Sequence, residues 1–461
     1  MSELAAAGGH ATLGREHLAE LIKRERTLYR VNFPSSWDAY AAGRENLLGG
    51  VPMTWMRMWS GGYPISYAAA SGARLIDIDG NEFIDFCLGD TGAMAGHSPV
   101  AVQAAIAGRF AEAGGATTML PTLDAPWVGA ELTRRFGMQF WSFTLTATDA
   151  NRWAIRLARQ ITGRPKILVF SYCYHGSVDE SFIVLTPDGP QSRPGNVGPP
   201  VDPAVTTRVV EFNDRAGLAA ELAHGDVAAV LMEPALTNIG IVLPEPGYLE
   251  EVRALTRHHG TLLINDETHT FSAGPGGCTA AWGLHPDMVT IGKSIAGGIA
   301  AGAFGMTPEL RELLAADPEA DLQDTGGVGG TLAGNALSVA AMRATLEHVL
   351  TDEAFAGMIE VGTRFAAGVQ GVLESRRVPW SVVQLGARVE VRFAPAPPRS
   401  GGESAAAGDP QLDEYLHLYT INRGVLITPF HNMALMCPAT TTADADAHAE
   451  VFAAAVDELF A

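Results

Sequence analysis

Two short apolar runs, each ending on a charged residue, constrain this chain more than any other feature. Thr261-Leu-Leu-Ile-Asn265 lands on the acidic pair Asp266-Glu267, and Met288-Val-Thr-Ile-Gly292 ends on Lys293. Runs of this length and apolarity, separated by a polar, glycine-bearing turn, read as buried strands of a parallel sheet. Such a sheet delivers both charges to one edge, the carboxyl edge where open α/β sheets bind their ligands. An acid and a lysine 27 positions apart (293 − 266) at that edge suit a cofactor that needs both. Pyridoxal phosphate is such a cofactor: the lysine forms a Schiff base with it, and the acid pairs with its ring nitrogen so that the ring accepts electrons.

The remaining punctuation places these strands in a larger α/β body. Residues 143–150 run from a short strand into a helix through Arg159, and residues 166–171 form a strand ending at Tyr172-Cys-Tyr-His-Gly176. Residues 227–232 form another, all-apolar strand, which exits at Glu233-Pro234. Helices are expected over 126–135 and 246–259, and the Pro/Gly/Ser-rich residues 186–203 read as a long surface loop of the kind that serves as a lid. Strands alternating with helices, each strand nearly all apolar, predict a mainly parallel sheet covered by helices on both faces.

Before this body, residues 2–48 are helical in composition, and residues 74–86 alternate on both sides of Asp79-Gly80, a hairpin signal. Between them lies Gly49–Gly62, carrying Trp55, Arg57 and Trp59 with three methionines. This loop is either one wall of a substrate pocket or a surface that another subunit covers. After the body come a helix over 333–350, a strand over 381–393, a flexible loop over 394–410 with an exposed linker at 400–408, a strand at 425–427 and a helix over 443–460. The expected domains are residues 1–95, residues 96–335 as the cofactor-binding domain, and residues 336–461, the first and last together forming a smaller α+β domain.

Composition narrows the class. A chain of 461 residues has length for a large core, and 47% hydrophobic residues with 51 Gly and 27 Pro fit a loop-rich globular protein. The formal charge of −20 argues against nucleic acid or an anionic membrane as partner. Four scattered cysteines without CxxC spacing read as reduced thiols, not a disulfide frame or a metal site. With no signal peptide and no apolar run long enough to span a bilayer, the expected location is the cytoplasm.

Five motifs, in order, carry a resemblance. They are Thr146-Ala-Thr-Asp-Ala-Asn151, Tyr174-His-Gly176, Glu233-Pro234, Asn265-Asp-Glu-Thr-His-Thr-Phe271 with Lys293, and Gly330-Thr-Leu-Ala-Gly-Asn335. From about Gly49 onward the chain resembles the class III, fold-type I pyridoxal-phosphate aminotransferases. Within them it is most similar to the glutamate-1-semialdehyde aminomutase-like branch, which includes β-amino-acid aminotransferases. The resemblance implies phosphate contacts from Ala147 and Thr148, a ring stacked on Tyr174, close backbone approach at Gly176, and Glu233 near the phenolic side. It also implies Asp266 on the ring nitrogen, Thr268 against the ring face, and Lys293 as the Schiff-base lysine and proton carrier. Thr331 would reach the phosphate of a second subunit, implying a homodimer with shared sites.

The sequence departs from the family's pattern in places. Ala147 and Asp149 replace the usual Gly and Glu, Thr268 a Val, and His269 a Gln or Met. Two usual carboxylate-reading arginines are missing, at Ser272-Ala-Gly274 and in Thr428-Pro-Phe-His-Asn-Met433. Arg57, with Trp55, His269 and His431, is therefore the candidate substrate set. The expected activity is amino transfer between an amino acid or amine and a keto acid. An aminomutase or racemase on the same scaffold is the alternative, and a non-catalytic protein of this fold a third reading.

Overall fold

The computed structural model describes residues 13–316 and 328–461; the expected helical stretch from residue 2 lies in part outside them. The chain divides into two compact units. One comprises residues up to Asp90 with Gly357–Pro397 and Ala407–Ala461; the other comprises Thr91–Ala356 with Pro398–Ala406. No helix among the described residues is long and apolar enough to cross a membrane.

The first unit opens with the helices Arg15–Asn32 and Pro34–Gly43. Strands β1 (Tyr67–Ser71), β2 (Arg74–Asp77) and β3 (Glu82–Asp85) follow, β2 and β3 antiparallel about the turn that Asp79-Gly80 announced. Asp77 builds that turn: its Oδ1 accepts from the Asp79 and Asn81 amides, at 3.0 and 2.7 Å.

The second unit holds a seven-stranded sheet. Its strands are β4 (Phe140–Thr144), β5 (Lys166–Phe170), β8 (Thr207–Val210), β9 (Val227–Met232), β10 (Leu262–Asp266), β11 (Met288–Ile291) and β12 (Gly302–Met306), in the order β4-β12-β11-β10-β9-β5-β8. Neighbours from β8 to β11 pair in parallel; β12 pairs antiparallel with both β11 and β4. All six residues of β9 are buried, as are all four of β11, which is what a sheet covered on both faces demands. The apolar face of the helix Ala147–Thr162, with Ala150, Ala154, Ile155 and Ala158 buried, packs into the same core.

Three expectations about connections change. The lid-like stretch 186–203 begins as a hairpin, β6 (Ile183–Thr186) with β7 (Gly189–Ser192), turning at Pro187-Asp188. Residues 381–393 are not one strand but the antiparallel pair β13 (Ser381–Leu385) and β14 (Arg388–Arg392), bent at Gly386, whose φ is +58°. The expected linker at 400–408 contains a helix, Gly401–Ala406, tied down on the second unit. There the Gly402 amide donates to Glu211 Oε2 at 3.1 Å and Ser404 Oγ to the Ile239 carbonyl at 2.5 Å. A Cβ at Gly401 would sit 2.3 Å from the Ser171 carbonyl oxygen, so small residues there serve close packing and not flexibility. The first unit closes with β15 (Val425–Leu426), parallel to β3, β16 (Met433–Leu435), antiparallel to β14, and the terminal helix Thr442–Leu459.

Candidate active site

The register of β10 and β11 places Asp266 opposite Thr290, three residues before Lys293. Both charges therefore emerge at the carboxyl ends of adjacent parallel strands, as their spacing predicted. The acidic pair divides its work. Glu267 accepts from Thr270 Oγ1 at 2.5 Å and from the Cys278 and Thr279 amides at 3.0 and 2.6 Å, so it shapes the following loop. Burial raises its proton affinity above the ordinary range.

Asp266 faces a different network. Its Oδ2 accepts from Asn151 Nδ2 at 2.8 Å and lies 2.9 Å from His175 Nδ1, while Oδ1 accepts the Thr268 amide at 3.0 Å. Asn151 is oriented in turn by Thr290, whose hydroxyl donates to Asn151 Oδ1 at 2.6 Å. Burial alone would strip charge from both partners. For His175 it is outweighed by the Cys173 sulfur and by Asp266, which raise the imidazole's proton affinity well above its usual value. For Asp266 the hydrogen bond and charge of His175 outweigh burial, and its pKa falls below the ordinary carboxylate value.

The candidate phosphate end lies at the start of the helix Ala147–Thr162. Thr146 caps it, accepting the Asp149 amide at 3.2 Å and donating to Asp149 Oδ2 at 3.1 Å. The acid that replaces the family's Glu is thus held in the cap. Thr148 Oγ1 accepts the Ser177 amide at 3.0 Å, and a Cβ on Gly176 would lie 2.0 Å from that same oxygen. Gly292, one residue before Lys293, packs equally close: its Cβ would come 2.8 Å from the Ala147 nitrogen. Helix start, Gly176 turn and lysine strand therefore converge, with the amides and the positive end of the helix suited to a dianion.

These residues fit pyridoxal phosphate. Asp266 Oδ1 accepts the Thr268 amide and, as a carboxylate oxygen with two lone pairs, could also accept a ring N–H. Thr268 is buried beside Asp266, and its side chain favours the Asp266 anion. Half-buried Tyr174 meets Phe182 edge-on at 6.2 Å. Glu233 is buried at the end of β9, where Thr237 Oγ1 donates to its Oε2.

Lys293 itself has φ +49°, a left-handed backbone that a non-glycine residue rarely adopts. Its Nζ lies 2.8 Å from His269 Nε2. The structure thus places His269, expected on the substrate side, directly on the lysine amine. Asn151, Thr290 and the histidine of Tyr174-His-Gly176 were not singled out from sequence. Asn151 stands four residues after Ala147, on the same helix face, and Thr290 is the one polar residue inside an apolar strand; both signals were present.

The other candidate substrate residues belong to the first unit. Trp55 lies on the short 3₁₀ turn Thr54–Arg57, with its ring edge-on to Phe430 at 4.9 Å. Arg57 is exposed and packs over Gly49, where a Cβ would come 2.9 Å from its guanidinium. His431 is buried, its Nδ1 3.3 Å from Glu390 Oε1. Thr331 is exposed on the segment leading to the helix Ala336–His348.

Residues 56–456 match the class-III aminotransferase family. The chain belongs to that family. It is 34% identical to the glutamate-1-semialdehyde 2,1-aminomutase of Chloroflexus aggregans over 450 residues, covering 94% of this chain and 99% of that one. A glutamate-1-semialdehyde-aminomutase of Pseudomonas aeruginosa superposes with a TM-score of 0.94 and 48% identity, over 97% of this chain and 99% of that one. One of its structures is a lysine-to-alanine variant in complex with PMP. An omega-transaminase of Sphaerobacter thermophilus follows at TM-score 0.83 and 28% identity, over 92% of this chain and 97% of that one. The chain is therefore a fold-type I, pyridoxal-phosphate-dependent enzyme. When bound, the cofactor supplies an electron sink; Asp266 is placed to keep its ring nitrogen charged, the helix start would hold its phosphate, and Lys293 would carry protons.

Proposed function

We propose that this enzyme shifts an amino group between adjacent carbons of a single molecule, glutamate-1-semialdehyde, and so is an aminomutase. This reverses the order of the readings drawn from sequence, where transfer between two molecules stood first. The observation that carries the proposal is the nearly full-length likeness to the Pseudomonas aeruginosa aminomutase, at 48% identity. Such a shift is an isomerisation and needs no second substrate, only a lysine that returns a proton within the same active site. The test is turnover of purified enzyme on glutamate-1-semialdehyde with no keto acid present. Formation of the isomer bearing the terminal amine is expected; conversion that starts only on adding a keto acid would overturn the proposal.

Amino transfer between two molecules stays the second reading, supported by the likeness to the omega-transaminase. In either case the enzyme works as a homodimer, with Thr331 contributed to the phosphate site of a second copy. What supports this is the exposure of Thr331 together with apolar side chains of the same unit, Leu332 at 50%, Met119 at 75% and Leu123 at 90%. The carboxylate of the substrate is assigned to Arg57, the cation of the Trp55 loop.

A further inference from the structure

His269 lies between Lys293 and Thr91. Its Nε2 is 2.8 Å from Lys293 Nζ and its Nδ1 is 3.0 Å from Thr91 Oγ1. Both neighbours stand on left-handed backbone, Thr91 at φ +80° and Lys293 at φ +49°. A β-branched residue at such a φ is a rare strained conformer, which persists only where the surrounding structure enforces it. His269 and Thr91 are themselves buried, at 7% and 0% exposure. An ordinary core histidine needs neither a lysine amine on one nitrogen nor a strained threonine on the other.

We infer that His269 is a positioning residue that acts through Lys293: it holds the free lysine amine and takes its excess proton, while Thr91 sets the orientation of the imidazole. In the resting arrangement the Lys293 ammonium donates to Nε2, and the ring's own proton, on Nδ1, is donated to Thr91 Oγ1. Passing one proton from Nζ to Nε2 leaves a neutral amine, with its lone pair restored, beside an imidazolium. Charge is conserved within the pair. The neutral amine keeps the lone pair that a bond to the cofactor's aldehyde would require, and the imidazolium keeps the proton that the amine has shed. The inference concerns the lysine alone and holds for either reading of the substrate.

The test is capture of pyridoxal phosphate by full-length protein depleted of its cofactor, followed by the absorbance band of the covalent form. Binding of PMP, which makes no bond to lysine, is measured beside it. H269M should slow capture by at least about tenfold, within the range for loss of a positioned proton acceptor. H269Q keeps a hydrogen bond but cannot take the proton, and should remain nearly as slow. T91V, nearly isosteric, should slow capture by about threefold or more as the imidazole loses its anchor. PMP affinity should stay within about twofold in all three. Capture at the wild-type rate in H269M or H269Q overturns the proton-accepting role. Parallel loss of PMP binding in the variants overturns the inference, because His269 would then only support the pocket. If H269M does not fold, T91V and H269Q decide the matter. None of these outcomes depends on whether the enzyme is a mutase.

Discussion

At the scale of single residues, the site works by keeping charges where burial would extinguish them. Asp266 is 3% exposed, yet its pKa lies below the ordinary carboxylate value because His175, Thr268 and Asn151 favour its anion. Asp266→Asn would remove the charge proposed to face the ring nitrogen and leave His175 without its anionic partner. Turnover should fall by at least about a hundredfold, the order seen when one preorganised electrostatic group is lost; steady-state rates at saturating substrate check it. A decrease below about tenfold would mean the ring nitrogen does not depend on this acid. Arg57 is different, exposed and flanked by Gly49. If it reads the carboxylate, Arg57→Ala should raise the Michaelis constant for amino acids by about one to two decades, corresponding to about 1.5–3 kcal/mol for a charged hydrogen bond. Amines lacking a carboxylate should be unaffected, and equal losses for both would make Arg57 structural.

At the scale of elements, two predictions follow from close packing and from burial. The turn at Gly176 sits on the start of the helix Ala147–Thr162, with φ +78° and room for no Cβ. Gly176→Ala should cost about 1–3 kcal/mol through backbone strain and weaken cofactor retention, seen as a smaller rise in melting temperature when pyridoxal phosphate is added. The terminal helix Thr442–Leu459 carries His448, stacked on Phe365 at 4.2 Å, with no hydrogen-bond partner for its Nδ1 among the described residues. Burial pushes its pKa down to about 3 from 6.5. In the unfolded chain His448 takes up a proton below about pH 6.5, while in the native state it stays neutral to about pH 3. Its contribution to stability is therefore intact above pH 6.5 and is lost progressively as the pH falls toward 3, by up to about 1.4 kcal/mol per pH unit. His448→Phe should flatten the acid side of a melting-temperature profile between these limits. A profile unchanged in slope would place the acid sensitivity elsewhere.

At the scale of the whole molecule, Thr331 tests the shared site. Thr331→Ala should raise the dissociation constant of pyridoxal phosphate by about tenfold, the order of one lost phosphate hydrogen bond, while sedimentation still reports a dimer. A fully active monomer would end the shared-site proposal.

How much of this was legible in the chain depends on the range of the interaction. Apolar runs, helix periodicity and the Asp79-Gly80 turn are local, so the parallel sheet, both units' main helices and the strand-end positions of Asp266 and Lys293 could be read directly. The ordered motifs carried the family and the cofactor. Local signals misled where packing overrides composition: Gly401–Ala406 reads as a linker, yet it is helical because Glu211, Ile239 and Ser171 lie within hydrogen-bonding and contact distance. The antiparallel strand β12 went unread for a related reason, since glycines at 302 and 305 weaken any strand signal but leave room for Thr144 and Trp141. Likewise no spacing relates residue 91 to residue 269, or 151 to 266. Side chains distant in sequence meet only once strand register and helix placement bring them within about 3 Å, and a hydrogen bond, unlike hydrophobic periodicity, leaves no repeat in the chain to announce it. The sequence by itself determined which chemistry the sheet edge would host; the tertiary structure alone decided which neighbours would hold its acid charged and its lysine in place.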